Sequence, residues 1–226
     1  MSHCAQATQE FPAWRRSSAE EFANATTHGL GLLLALIGTS VVLPIVLVQD
    51  DSWINISSLV YLASLVAVFA MSTLSHMASS VRWKSFFRKY DQAFIYLLIV
   101  ATYTPFSLAY LHGGVWSILL LVMWSVAFVG FVCKTFFAYR VEAVSISSYV
   151  ILGWMSILAV PALWQSAPAL TFDLMIAGSG FYMMGTWFLA NDERGRYFHA
   201  VWHLLVIAGS ACHFVAIFRI INDVRI

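Results

Sequence analysis

The chain has 226 residues, of which 61% are hydrophobic and only 10% charged, and its formal net charge is +1. About a quarter of the residues in a typical soluble domain are charged, so this composition excludes an ordinary soluble protein and indicates a polytopic helical membrane protein. The near-neutral charge gives no indication of a nucleic-acid partner. The three cysteines, Cys4, Cys133 and Cys212, are too scattered for a disulfide framework or a zinc finger.

Hydrophobic runs predict seven membrane-spanning helices, each long enough to cross a hydrocarbon core of ~30 Å at ~1.5 Å per residue. The predicted spans are at about 24–48, 56–79, 90–111, 115–133, 143–164, 171–190 and 198–221. We therefore expect an all-α seven-helix transmembrane domain over residues 24–221, with a short cytoplasmic tail at 1–23 and a short external C-terminus at 222–226. Three prolines inside or near the ends of spans should kink them: Pro44, Pro105 and Pro161.

The basic residues of the connections lie mostly on one side of this predicted bundle. They are Arg15 and Arg16 before span one, Arg82, Lys84, Arg88 and Lys89 after span two, Lys134 and Arg140 after span four, and Arg194 and Arg196 after span six. The other three loops contain no Lys or Arg, and only Arg219 and Arg225 at the C-terminal edge break the pattern. The positive-inside rule then predicts a multi-pass protein of the cell membrane with a cytoplasmic N-terminus and an external C-terminus.

Three histidines are predicted to lie at the same membrane face. His76 ends span two, whereas His199 and His203 open span seven, one helical turn apart on one face. A lone histidine at a helix end is more often a hydrogen-bonded interfacial group than a ligand. Three imidazoles at one depth, however, match a zinc site with an open fourth position, which is typical of catalytic rather than structural zinc. Iron and manganese are alternatives for the ion.

Two further polar residues are predicted at the same depth. Asp91 opens span three, and Ser72 lies one turn before His76 on the same helix face. Asp91 either binds the metal directly or holds the metal's water and takes its proton as general base. Ser72 is expected to hydrogen-bond that water or the reacting carbonyl group. These two residues are therefore the candidate catalytic residues.

The start of span one carries a third polar group. Glu21, Asn24 and His28 are spaced at i, i+3 and i+7, so they project close together on one helix face. One interpretation is helix capping by Asn24 together with ordinary interfacial polarity. The interpretation that we favour is support of the metal ligands from outside the coordination sphere.

These motifs, taken in order, resemble the hemolysin III branch of the progestin and adipoQ receptor (PAQR) family. The resemblance rests on E-x-x-N-x-x-T-H at 21–28, S-x-x-x-H at 72–76, Asp91, the run at 102–106, and H-x-x-x-H at 199–203 followed by Cys212-His213-Phe214. It implies seven helices with the N-terminus inside and zinc held by His76, His199 and His203. It also implies that Asp91 lies near the zinc water and that Ser72 lies just outside the ligands. Gln92, which follows Asp91, departs from the residue that relatives often carry.

The resemblance also bears on activity. The family is related to alkaline ceramidases, which hydrolyse a lipid amide at a similar zinc site, and bacterial members resemble regulators of membrane lipid balance. The short N-terminal region favours a bacterial-type member. The first hypothesis is therefore an intramembrane zinc hydrolase acting on a lipid amide or ester, with membrane lipids or fatty-acyl compounds as substrates.

Two other classes of function remain as alternatives. The first is a receptor or sensor in which zinc only ties helices together. The second is a hemolysin-type cytolytic or channel protein, which the absence of charged residues from the middle of the spans disfavours. The sequence alone leaves open whether a substrate is turned over and which oligomer forms.

Overall fold

The computed structural model describes residues 17–48, 50–137 and 146–223, and every regular element in those ranges is a helix. The helices are α1 (Ser18–Leu47), α2 (Ser52–Met77), α3 (Val81–Tyr110), α4 (Gly114–Phe136), α5 (Ile146–Met155), α6 (Val160–Ser166), α7 (Ala169–Ala190) and α8 (Phe198–Asp223), with a 3₁₀ turn at Ser156–Ala159 between α5 and α6. The basic residues Arg15, Arg16, Arg140 and Arg225 and most of the predicted 1–23 tail lie outside the described residues.

Six of the described helical segments are long and apolar enough to cross a membrane. They are α1, α2, α3, α4, the α5–α6 segment taken as Ile146–Ser166, and α8. The protein is therefore an all-helical, multi-pass membrane protein, as the composition predicted. Helix α7 has 22 residues and a similar length. It is less apolar because it contains Asp173 and a Gly-Ser-Gly run at 178–180.

Two helices begin earlier than their hydrophobic runs. Helix α1 begins at Ser18 rather than near residue 24, because Ser17 and Glu20 form a capping box in which Ser17 N donates to Glu20 Oε2 at 3.0 Å. Helix α3 begins at Val81 rather than near residue 90, and Ser80 caps it by accepting from Trp83 N at 3.3 Å. Hydropathy marks only the apolar part of a helix. The basic residues predicted to form the second loop therefore lie in the first turns of α3.

The fifth predicted span is interrupted near its proline. The α-helical pattern stops at Met155, passes through the 3₁₀ turn and resumes at Val160. Pro161 stands in the first turn of the resumed helix, where its missing N–H is tolerated. Pro44 and Pro105, by contrast, lie inside helices that continue past them.

The helices pack so that four of them meet at one end of the bundle. Helix α2 lies between α1 and α3, α7 pairs with α8, and α8 also contacts α1, α2 and α3. Glycines permit the close approaches: a Cβ on Gly31 would lie 2.5 Å from the Phe69 ring, and one on Gly178 would lie 2.7 Å from the His213 ring. The start of α1, the end of α2 and the start of α8 lie side by side, and the predicted site residues come from these turns and from α3.

Candidate metal centre

The three predicted metal ligands come together at this end of the bundle. One potential ligand atom from each of His76, His199 and His203 lies within 4.8 Å of the other two. The ring centroids of His199 and His203 are 4.5 Å apart, and His76 lies 5.3 and 5.2 Å from them. Nitrogens that each lie ~2.1 Å from one tetrahedral ion are about 3.4 Å apart. The ligand atoms therefore need to approach one another by at most about 1.4 Å to share an ion.

The His76 ring is held from outside by Glu21 of α1. His76 Nδ1 lies 2.8 Å from Glu21 Oε2, and the other oxygen of the same carboxylate accepts from Lys84 Nζ at 2.9 Å. The His76 side chain is only 8% exposed. A carboxylate on the far nitrogen of a ligating histidine fixes the ring and raises its basicity. Glu21 therefore has the contact that the predicted supporting role requires.

The His199 ring has a corresponding carboxylate partner in Asp192. His199 Nδ1 lies 3.1 Å from Asp192 Oδ2, and both side chains are largely buried. Asp192 belongs to the turn between α7 and α8, just before Tyr197, whose φ of 65° is unusual for a residue other than glycine. The sequence interpretation did not identify Asp192, because loop carboxylates are common and its partner is seven residues away.

The His203 ring is held by a hydroxyl group. His203 is fully buried, and its Nδ1 lies 3.0 Å from Thr27 Oγ1. Thr27 donates its only hydroxyl proton to the backbone carbonyl of Ala23 at 2.9 Å or of Asn24 at 3.0 Å. With that proton on either carbonyl, the hydroxyl oxygen can accept from His203 Nδ1–H. Thr27 appeared in the sequence only as one letter of a motif, and its contact was not predicted.

The three outer contacts have a common consequence. Each imidazole directs Nδ1 to an oxygen acceptor: Glu21, Asp192 or Thr27. When such a ring is neutral and donates to that oxygen, the proton is on Nδ1 and the lone pair is on Nε2. This tautomer is the one that a metal ion requires of an Nε2 ligand. The donor set therefore fits a metal bound by three nitrogens.

Ser72 and Asp91 form a buried polar pair beside this cluster. Ser72, one turn from His76, is fully buried, and Asp91 is 8% exposed. The Ser72 hydroxyl lies close enough to the Asp91 carboxyl group to favour its charged form. Within the described part of the chain, neither Ser72 Oγ nor Asp91 Oδ1 makes a hydrogen bond of normal geometry. Asp91 is also not part of the three-histidine group, which favours a place beside an ion over direct ligation.

Asn24 and His28 are two buried polar residues that α1 contributes near the histidine cluster. Both are 1% exposed, and neither side chain has a hydrogen-bond partner within the ranges that the structure describes. The His28 ring stacks on His203, with centroids 3.5 Å apart and planes inclined by 30°, and meets the edge of Phe69 at 5.2 Å. His28 therefore packs against a predicted ligand, and Asn24 lies one turn before it. Asn24 does not cap α1, because that role belongs to Ser17.

Comparison with known proteins places these residues in a described family. A family profile described as "Haemolysin-III related" matches residues 16–214, a range that includes every residue of the candidate centre. The chain is 34% identical over 198 residues to "Hemolysin-3 homolog" of Bacillus subtilis, covering 88% of this chain and 92% of that protein. It is also 34% identical over 198 residues to "Hemolysin-3" of Bacillus cereus, covering 88% and 90%. The human "Monocyte to macrophage differentiation factor" is 26% identical over 227 residues, covering 97% of this chain and 90% of that protein.

Proposed function

This chain belongs to the haemolysin-III related family, and from that premise we propose that it is a zinc-dependent hydrolase of an amide or ester bond in a membrane lipid. The observation that carries the proposal is the convergence of His76, His199 and His203, each with an oxygen acceptor on Nδ1. The proposal includes seven membrane spans, with the histidine cluster at the cytoplasmic end and a role in membrane lipid homeostasis.

The three Nε2 atoms are the proposed ligands. Donors that are all nitrogen favour zinc over magnesium or calcium, which prefer oxygen. A zinc ion bound by three protein ligands supplies a Lewis acid for a carbonyl group and lowers the pKa of a water molecule to about 7. Glu21, Asp192 and Thr27 keep the three rings in the orientation and tautomer that binding requires.

Asp91 is the proposed general base, and Ser72 its partner. A carboxylate buried beside the cluster with an unbonded Oδ1 can accept the proton that an attacking water molecule loses. The Ser72 hydroxyl faces the same carboxyl group and can orient that water or the carbonyl oxygen of the substrate. Asn24 and His28 add buried donors and acceptors from α1.

The position of the site supports a lipid substrate. The catalytic candidates are buried at the end of an apolar bundle whose outer surface carries many exposed large hydrophobic side chains. A molecule that reaches the site from the bilayer brings a carbonyl group near the headgroup level, where acyl amides and esters are found. We therefore propose a membrane lipid or fatty-acyl compound as the substrate class.

The proposed topology uses α7 as the remaining span. Its 22 residues extend about 33 Å, enough for a core of ~30 Å. The basic residues at the start of α3, at the end of α4 and between α7 and α8 all share the end of the bundle that holds the histidines. The positive-inside rule then supports a cytoplasmic location for that end and an external C-terminus.

One observation favours a second candidate, in which zinc is structural and the protein is a receptor or sensor. The three histidines join α2 to α8, and their outer contacts come from α1 and the α7–α8 turn. An ion at this point would tie the bundle together. Under this alternative, loss of the ion would lower stability without changing any lipid.

Metal analysis of the purified protein tests the proposal. We expect about one zinc per chain in the unmodified protein and little in His76→Ala and His203→Ala. His112→Ala is the matched control, because His112 is exposed at the opposite end of the bundle and should retain zinc. Lipid analysis of cells that carry each variant then separates hydrolase from sensor: unequal zinc with identical lipids favours the sensor. Equal zinc in all four proteins contradicts both.

A further inference from the structure

A groove on the outside of the bundle lies between the end of α2 and the start of α3. Its volume is about 510 Å³. Its lining consists of Leu74, Met77, Ala78, Ser79, Ser80, Trp83 and Phe87. Met77 and Trp83 are 65% and 55% exposed, whereas Ser72 and Ser75 on the inner side of α2 are buried. The groove is therefore an apolar surface distinct from the histidine centre.

The α3 side of the groove belongs to a continuous aromatic cluster. Trp83 stacks on Phe87 with ring centroids 5.7 Å apart, and Phe86 meets the edges of these two rings at 5.7 and 5.4 Å. Tyr90 extends the cluster, 4.9 Å from Phe86. Trp83 and Tyr90 are of the two residue types that concentrate at the boundary between acyl chains and headgroups, because each combines an apolar ring with a polar atom.

The length of α3 places the cluster at that boundary. Its 30 residues extend about 45 Å, whereas a hydrocarbon core is ~30 Å thick. About ten residues therefore project beyond the core. The basic residues of α3 all lie in its first ten residues, Val81–Tyr90, so these are the residues that project.

Two cations in the first ten residues of α3 have no carboxylate partner within the described ranges. Lys84 forms an ion pair with Glu21. Arg88 lies close enough to Asp91 for its positive charge to attract the carboxylate. Arg82 is exposed in the first turn of α3, and Lys89 Nζ lies over the rings of Phe86 and Tyr90, at 5.7 and 4.8 Å. No acidic residue occurs between His76 and Asp91, so the surface carries an uncompensated positive charge.

We propose that this surface binds an anionic phospholipid. One acyl chain lies along the apolar groove, and the phosphodiester group is held by Arg82 and Lys89. An acyl chain matches a groove whose lining is almost entirely apolar, and a phosphate matches two cations at headgroup level. A neutral or zwitterionic lipid would fill the groove but leave the charge uncompensated. This binding does not depend on the proposed hydrolase activity.

The test compares bound lipids by native mass spectrometry of the whole protein in mixed phosphatidylglycerol and phosphatidylcholine micelles. We expect phosphatidylglycerol to be retained preferentially by the unmodified protein. In Arg82→Gln/Lys89→Gln the preference should fall about 25-fold, because each of the two cations near an anionic surface contributes about fivefold. Arg194→Gln/Arg196→Gln, which removes the same charge from the α7–α8 turn, is the matched control and should keep the preference.

A double variant that conserves charge controls for a folding defect. Arg82→Lys/Lys89→Arg should retain the preference for phosphatidylglycerol, whereas a variant that merely disrupts α3 would lose binding of both lipids. The proposal is overturned if the unmodified protein shows no preference between the two lipids. It is also overturned if the two charge-removal variants lose the preference equally, since the effect would then belong to net charge and not to this surface.

Discussion

Thr27 Oγ1 lies 3.0 Å from Nδ1 of His203 and joins the first turns of α1 to the most deeply buried histidine of the cluster. The same hydroxyl is within donating distance of two backbone carbonyls of α1, so its oxygen can accept from the histidine. A neutral side chain on another helix thus contacts the outer nitrogen of a proposed metal ligand.

Replacing Thr27 with valine should weaken zinc binding modestly. Valine keeps the shape of threonine but removes a neutral hydrogen bond, which contributes about 0.5–1.5 kcal/mol, so we expect a loss of about two- to tenfold in zinc affinity. Competition with a fluorescent chelator measures it. Thr26→Val is the control, because Thr26 is exposed and contacts only its own helix. Equal affinities for the two variants would argue against a role for Thr27.

Replacing Asp192 with alanine should have a larger effect. Asp192 is a carboxylate on the Nδ1 side of His199, and loss of such a partner typically costs about 10- to 100-fold in metal affinity. Isothermal titration with zinc measures the change. The neighbouring Glu193 is exposed, so Glu193→Ala should leave the affinity unchanged. A loss in Asp192→Ala no greater than in Glu193→Ala would contradict the assigned contact.

Replacing Asp91 with asparagine should separate metal binding from chemistry. The amide of an asparagine side chain cannot accept a proton as a carboxylate does, and removal of a general base usually lowers a rate by about 10²- to 10⁴-fold. Because Asp91 is not part of the three-histidine group, zinc content should stay near that of the unmodified protein. Zinc analysis and mass spectrometry of lipid products are the two measurements. Asp173→Asn, at an exposed position on α7, is the control for loss of a carboxylate. Loss of zinc in Asp91→Asn would make Asp91 a ligand instead.

Replacing Gly178 with alanine should destabilise the pairing of α7 and α8. The added Cβ would lie 2.7 Å from the His213 ring and 3.0 Å from the backbone oxygen of Gly209, so the two helices would have to separate. Overpacking of this kind costs about 1–3 kcal/mol. Thermal unfolding in detergent should show a lower midpoint for this variant. Gly180→Ala, which meets nothing within 4 Å, should unfold at the same temperature or slightly higher.

The agreement between sequence and structure is best for elements whose signal is local. An apolar run reports a helix that must satisfy its own backbone in lipid, so the all-helical, multi-pass character was predictable. Helix starts were less predictable, because α1 and α3 begin with polar turns capped by Ser17 and Ser80. Hydropathy does not detect those polar turns, although the capping residues themselves can be recognised in the sequence.

Glu21 and Asp192 show the corresponding limit for the candidate centre. Both carboxylates contact Nδ1 of a proposed ligand, but only Glu21 was identified, because its helical spacing with Asn24 and His28 made a pattern. Asp192 lies in a turn whose conformation includes the positive φ of Tyr197, and no periodicity describes such a turn.

The sequence by itself determined that the chain is a bundle of apolar helices and that three histidines lie at one end of it. Whether two residues lie at the same end depends only on whether the number of spans between them is even or odd. Only the tertiary structure decided which way each ring faces and which oxygen holds it. Those features depend on the rotation of α1, α2 and α8 about their own axes, which is set by side-chain packing such as that of Gly31 against Phe69 and of His28 against His203. Contacts between residues that are far apart along the chain produce no periodic pattern in the sequence.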